Sequence, residues 1–370
     1  MQRWGHLILL AATAAHPAFA ADEDEARASI ERGRLELERA QLEEAQASYL
    51  EGIGQLTAEL GSNSPALIEP YSELARIYML SNQPLEAITV LQTARNVSHV
   101  NHGLFNLEQV PLLDELGRAY LVLGNTVEAG NLQRERLNVA LRRFGEDDPR
   151  TVPYRNHLAG YYDQSRMRML AREEYEAVLD ILREAFGDDD GRLLIPLSQL
   201  TAIDIRLGNT RSARGQLVRT LESSTNTTPL QRANALAVLG DWEMVRSRLQ
   251  AAQNYYREAY DALHGEQPKL AEEFFASPQF VDFAPPASPV DWQSNPDGYA
   301  WGFIEMQFGV SAEGKAVNIA VSRSSPPLLM DALYARRLAE SRFRPRLVNR
   351  EPVHTASVSY RHDFRYRVNE

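Results

Sequence analysis

The strongest constraint on how this 370-residue chain folds is a spacing of 42. Ala45, Ala87, Ala129, Ala171 and Ala213 are each 42 residues apart, and Ala252 follows 39 later. Gly33, Ala75, Gly117, Ala159, Thr201 and Gly240 keep the same phase, as do Leu74, Leu116, Leu158, Leu200 and Leu239. Tyr78, Tyr120 and Tyr162 each follow the leucine of their repeat by four residues. Gly61, Gly103, Gly145 and Gly187 form a further ladder. Independent ladders with one period mean a repeat architecture, in which each unit buries its apolar face only against its neighbours. Leu and Tyr at i, i+4 share a helix face. The small residue beside the Leu, and the Ala ladder on a second helix, let the two helices approach closely. Leu123-Gly124-Asn125-Thr126 and Leu207-Gly208-Asn209-Thr210 read as a helix ended by Gly and a second one started by Asn or Thr. The Gly61 ladder reads as left-handed C-terminal caps. The spacing predicts about six helical hairpins over residues 21–265.

Leu116-Gly117-x-x-Tyr120-x-x-x-Gly124-x-x-x-x-Ala129 resembles the tetratricopeptide repeat (TPR) in its 42-residue, kinesin light chain-like form. The resemblance implies an α-helical solenoid, a TPR-like superhelix whose concave groove binds peptides and proteins. Repeats four and five depart from the pattern, with Asp204 and Glu243 where Tyr is expected. Glu31…Arg34, Glu73…Arg76 and Glu115…Arg118 recur at the same spacing. In the family the arginine position lies on the first helix and faces the groove. This implies that Arg34, Arg76 and Arg118 grip acidic side chains or a C-terminal carboxylate of a partner peptide. The other reading is a row of i, i+3 ion pairs on a solvated face. Asn156 and Asn234 fill another groove-facing position of the family, where Ser72, Asp114 and Ser198 stand in the other repeats.

Pro268, Pro278, Pro285, Pro286, Pro289 and Pro296 cluster over 266–297 and predict an extended, partly stiff linker. Its aromatics Phe274, Phe275, Phe280, Phe283 and Trp292 imply that part of it packs on a neighbouring domain. From Tyr299 the apolar period becomes two. Ile304, Met306, Phe308 and Val310 alternate with polar or small residues, Ser311 to Lys315 is a Gly-containing turn, and Val317, Ile319 and Val321 return. Leu329 to Ser341 reads as a helix, with Asp331 in its first turn and Arg336, Arg337 and Arg342 toward its end. Thr355 to Tyr366 is a long last strand: Ala356, Val358, Tyr360, Phe364 and Tyr366 share one face with His362. The order strand–strand–helix–strand, with Val321-x-x-Ser324-Ser325, Arg342-Phe343-Arg344-Pro345 and Glu351-Pro352-Val353, resembles the TonB C-terminal domain over 298–370. Pro326-Pro327 departs from it, standing where the family has Gly. The resemblance implies a small α+β (ββαβ) domain that pairs a strand edge with a short peptide of an outer-membrane receptor. Its partner-binding strand would present Val358, Tyr360, Arg361, Phe364 and Arg365. Arg361, Arg365 and Arg367 either bind an acidic partner or guard the edge against aggregation. Phe343 reads as core and Pro345 as the turn after the helix.

Arg3, the apolar run Leu7 to Ala15 and Ala18-Phe19-Ala20 follow the pattern of a secretory signal over 1–20, cut between Ala20 and Ala21. The apolar run is half the length of a membrane span, so a periplasmic protein is expected; an uncut inner-membrane anchor would instead suit a TonB-family energy transducer. The net charge is −11, which speaks against bulk electrostatic binding of nucleic acid. The charge is uneven: residues 298–370 carry 11 Lys+Arg against 7 Asp+Glu, so the acidic excess lies in the helical body. Cysteine is absent, which excludes disulfides, thiolate metal sites and a lipid tether on cysteine. No phosphate loop, His-Glu-x-x-His, Gly-x-Ser-x-Gly or dinucleotide motif occurs. His99-x-x-His102 lacks a third ligand, and Asp188-Asp189-Asp190 lacks the spacing of a calcium loop. The expectation is therefore a non-catalytic adaptor with no cofactor, no metal and no small-molecule substrate, whose partners are proteins or peptides of the cell envelope. An enzyme with a site assembled only in three dimensions remains the third class.

Overall fold

The computed structural model describes residues 17–209, 213–224, 226–286 and 299–368, and of 17–23 and 299 the backbone alone. Residues 1–16 of the expected signal, Trp292 and the prolines at 289 and 296 lie outside the described residues, while Ala18-Phe19-Ala20 and the expected cut after Ala20 fall within helix α1. The chain divides into two compact units, residues 1–158 and 159–370. The first holds α1 (Pro17–Glu38), α2 (Leu42–Leu60), α3 (Ile68–Leu80), α4 (Pro84–His102), α5 (Val110–Val122), α6 (Thr126–Phe144) and the start of α7 (Val152–Gln164). The second holds the end of α7, then α8 (Arg168–Phe186), α9 (Leu194–Leu207), α10 (Arg214–Ser223), α11 (Pro229–Val245), α12 (Leu249–His264) and α13 (Pro268–Phe274). Its C-terminal part runs β1 (Gln279–Phe280), β2 (Tyr299–Val310), β3 (Ala316–Ser325), α14 (Asp331–Glu340), β4 (Phe343–Arg344), β5 (Arg346–Val348), β6 (Glu351–Val353) and β7 (Thr355–Arg367).

The period is written into the element ends. Short 3-10 turns begin at Pro65, Leu107, Pro149 and Gly191, and α2, α4, α6 and α8 begin at Leu42, Pro84, Thr126 and Arg168. Ser64, Asn106, Asp148 and Asp190 accept backbone N–H groups at the 3-10 turns, so those starts leave fewer orphan donors. The Ala and Leu ladders are buried in every repeat. Smallness is a steric requirement at two places: a Cβ on Gly33 would lie 2.8 Å from Tyr49 Cδ2, and one on Gly240 2.3 Å from Tyr256 Cε1.

Two local expectations need correction. Gly61, Gly103, Gly145 and Gly187 do have positive φ, but with ψ between 158° and 170°. That is a glycine-only extended region, not the left-handed helical one, because the chain leaves the helix abruptly toward the next 3-10 turn. The left-handed residues sit inside the hairpins instead, at Ala40, Asn82, Gly124, Arg166, Gly208 and Ser247. Second, the proline-rich stretch is not simply extended. Pro268 opens helix α13, where a missing N–H costs nothing, and β1 pairs antiparallel with β4. Phe280 stacks within 4.7 Å of both Phe283 and Phe343, while Phe275 is buried against Phe274 and Tyr260.

The repeats that lost their tyrosine kept a buried position and changed its chemistry. Asp204 is fully buried and takes Arg172 Nη1 at 2.5 Å and the Ala213 N–H at 3.0 Å. Glu243 is buried between Arg214 and Arg248, each at 3.2 Å. Arg172 and Arg214 are themselves one period apart. A buried carboxylate needs such a partner, so the matched substitutions were a readable signal.

The C-terminal sheet has the order β3–β2–β7, all antiparallel, with α14 against one face. Its core is Ile304, Met306, Phe308 and Val310 with Tyr334, Leu338, Phe343 and Phe364. The alternation of β2 and the ββαβ order are as expected, with three further short strands between α14 and β7.

Candidate protein-binding surfaces

In the first unit a groove of about 580 Å³ opens between α1, α2 and α3. Tyr49, Leu56 and Leu60 give it an apolar wall, and Arg34 and Arg76 line it together with Glu31 and Glu73. The two arginines are already paired. Arg34 donates to Glu31 at 2.9 Å and to Glu38 at 2.6 Å, and Arg76 lies 3.0 Å from Glu73. The Arg34 hydrogen bond holds the Glu31 carboxyl below the usual glutamate range. Arg118 lies 3.4 Å from Glu115 and does not line this groove. Burial raises the Glu115 carboxyl, against the opposing pull of Arg118 and of the Ser72 hydroxyl, which donates to it at 3.3 Å. Every member of the ladder thus has the i, i+3 partner that the ion-pair reading demands, and the groove offers arginine and glutamate in near balance.

The two asparagines are half-buried. Asn156 has a buried Oδ1 with no hydrogen-bond partner among the described residues. Asn234 Nδ2 donates at 3.0 Å to Leu230 O of its own helix, and Ser198, one period after Asn156, is buried and donates to Leu194 O at 2.6 Å; the 39-residue last step puts Ala237, not Asn234, at the equivalent place in the next repeat. His99 and His102, the other ligand-type pair, bond to Gln109 at 2.8 Å and Glu108 at 3.1 Å. Among the described residues no three His, Asp or Glu side chains gather to hold a metal, and no helix is long and apolar enough to cross a membrane.

In the second unit, β7 is an edge strand of 13 residues whose outer side is unpaired among the described residues. The five residues named on it divide by face. Val358, Tyr360 and Phe364 pack into the core, Tyr360 against Phe280 and Phe283, so their side chains are spent on the fold. Arg361 and Arg365 stand on the open face of the sheet. Arg361 bridges Glu305 at 2.8 Å and Asp363 at 2.9 Å and lies 4.5 Å over the Phe303 ring, while Arg365 lies 5.4 Å over Trp301. Trp301 and Phe303, which sequence reasoning passed over, therefore complete this face with the two arginines; their signal was the polar-facing phase of β2. His362 lies on the inner face against Tyr334 and Tyr360, where burial lowers its pKa.

One residue missed from sequence holds the short β1–β4 pair to the last helical hairpin. Arg344, on β4, forks onto Asp241 of α11, with Nε–Oδ1 at 3.0 Å and Nη2–Oδ2 at 2.5 Å. The Tyr256 hydroxyl donates to the same Oδ1 at 3.0 Å, and the Tyr256 and Phe274 rings flank the guanidinium within 6 Å. Burial alone would pull the Arg344 pKa down; Asp241 and Tyr256 more than offset it, so the group stays charged. Around this pair, Leu347 N–H donates to Phe275 O at 3.2 Å, Arg257 meets Glu351 at 2.8 Å and Arg350 meets Asp261 at 2.7 Å. Arg344 lies within the Arg-Phe-x-Pro motif, but nothing local to it points to a partner 103 residues away.

The helical part is TPR-like. Its small and apolar buried positions recur every 42 residues in antiparallel helix pairs. No protein-family model matches the chain, and no curated protein does. Among solved structures, the chain is similar to nearly identical TPR-like repeats of kinesin light chain type from Podosopora anserina, at 19% identity and a TM-score of 0.44, covering 55% of this chain and 98% of that one. It is similar to BtubC (BKLC) from P. vanneervenii at 16% identity and a TM-score of 0.43, covering 68% and 92%. It is also similar to the apo form of RapI at 13% identity and a TM-score of 0.47, covering 68% and 67%.

Proposed function

We propose that this chain is a non-catalytic adaptor of the cell envelope, exported with its signal removed near Ala20. Its TPR-like hairpins take one protein or peptide, and its C-terminal sheet takes another by adding a strand, as the TonB C-terminal domain does. The observation that carries the proposal is the outer edge of β7, a long strand that no other strand pairs among the described residues and whose backbone donors and acceptors suit an added strand. Trp301, Phe303, Arg361 and Arg365 beside that edge supply apolar and charge-assisted contacts, a composition enriched at interfaces. In the first unit the groove at Tyr49 and Leu60 supplies an apolar wall with an ionic rim.

The test is site-specific photo-crosslinking of the full chain in a Gram-negative cell, with the probe at Ser359 of β7 and, separately, at Ala66 of the groove. The reading expects a discrete envelope-protein adduct from each site, and a mature N-terminus at Ala21. Absence of adducts from both sites above those of a probe at Glu266 refutes it, as does recovery of the chain from the cytoplasm.

A further inference from the structure

Among the described residues, the turn between α7 and α8 gathers more positive charge than negative. Arg166 sits in the turn, Arg168 is the first residue of α8, and Arg206 is in the last turn of α9. The carboxylate among them is Asp163; its Oδ2 is taken by Arg206 Nη2 at 2.6 Å, and its Oδ1 is buried with no hydrogen-bond partner among the described residues. Arg166 uses Nη1 on the Pro285 carbonyl at 3.0 Å and leaves the rest of its fork exposed. Arg168 is the telling member. Its Nε is buried with no hydrogen-bond partner among the described residues, and Arg206 and Arg166 both press on it electrostatically. Burial first, then those two cations, lower its pKa, against Asp163 alone. A half-buried guanidinium with unused donors is costly, and a cation at the first residue of a helix also opposes the helix dipole.

We propose that Arg166, Arg168 and Arg206 form a binding site for an oxyanion, a carboxylate or a phosphate group. Such a group accepts paired N–H bonds from guanidinium forks, supplies the missing charge and satisfies the buried donor of Arg168. The site is at a hairpin turn of the second unit, and it does not depend on the envelope-adaptor reading.

Calorimetric titration of the full chain tests it, with inorganic phosphate in one arm and a Glu-rich peptide in the other. The expected result is saturable one-site binding in at least one arm, and the tighter arm names the source of the oxyanion. Arg168→Gln is expected to weaken binding about tenfold or more, since it removes charge-assisted hydrogen bonds. Arg166→Gly is the second variant. Glycine adopts the φ of 62° at this position without strain, as at Gly124 and Gly208, so the turn keeps its shape while the charge is lost. It too is expected to weaken binding, whereas Arg246→Gln, an arginine stacked on Trp242, leaves it unchanged. Absence of saturable binding in both arms, or binding indifferent to both Arg168→Gln and Arg166→Gly, overturns the proposal.

Discussion

Replacing Arg344 with methionine keeps much of the side-chain volume and removes the charge that faces Asp241. Asp241 would then be left 8% exposed, with the Tyr256 hydroxyl still donating to it and no cation in contact. Stripping one partner from a buried ion pair costs about 3–5 kcal/mol, because the remaining charge is uncompensated. The retained Tyr256 hydrogen bond places Arg344→Met toward the lower end. For a unit of this size that is a fall in Tm of roughly 6–20 °C. The assay is thermal unfolding followed by near-ultraviolet circular dichroism, paired with limited proteolysis of the stretch after α12. Cleavage there should accelerate, since β1 and α13 are held by the same interface. The double variant Asp241→Leu/Arg344→Met should recover most of the loss, because an apolar pair no longer buries a lone charge. A single variant within about 1 kcal/mol of the parent, or a double variant no better than the single, would refute the reasoning.

Gly33→Ala should cost about 1–3 kcal/mol by chemical denaturation, since the new methyl meets the Tyr49 ring at 2.8 Å and the helices must part. Asp204→Ala should destabilise far more than Glu31→Ala. Asp204 is fully buried against Arg172 and the Ala213 N–H, whereas Glu31 is solvated, and comparison of the two unfolding midpoints checks this. Asp282→Asn should stabilise at neutral pH and not in acid. Burial raises the Asp282 carboxyl above 3.8, its hydrogen bond from Arg342 N–H at 2.6 Å notwithstanding. With the folded pKa above the unfolded one, the cost is absent below 3.8 and grows as pH rises through the folded value. A difference between variant and parent that does not grow from pH 3 to pH 7 would contradict the assignment.

The hairpins were legible because a repeat writes one set of local rules several times over. Leu74, Leu116 and Leu158, the alanine partners and the turn residues each recur at 42, and each is buried or turned as its spacing demands. The strand phase of β2 was equally legible, since Ile304, Met306, Phe308 and Val310 alternate strictly and all four are buried. The binding residues were harder to read. Arg34, Arg76 and Arg118 share a phase, but only the folded structure shows that each spends its guanidinium on the carboxylate three residues before it. Val358, Tyr360 and Phe364 have a place on the edge strand that reads as partner-facing, yet their side chains pack into the core of the C-terminal part, Tyr360 against Phe280 and Phe283.

What the sequence by itself determined is therefore whatever depends on separations of a few residues: helix faces, turns, strand alternation and the repeat period, all set by backbone geometry and local sterics. What only the tertiary structure decided is pairing across distance. Arg344 finds Asp241 at a separation of 103 residues, Arg166, Arg168 and Arg206 converge from separate elements, and a proline-rich stretch becomes helix and strand because α12 and β4 give it partners. The physical reason is that charge and burial energies depend on distance in space, and chain connectivity alone does not fix which distant groups meet.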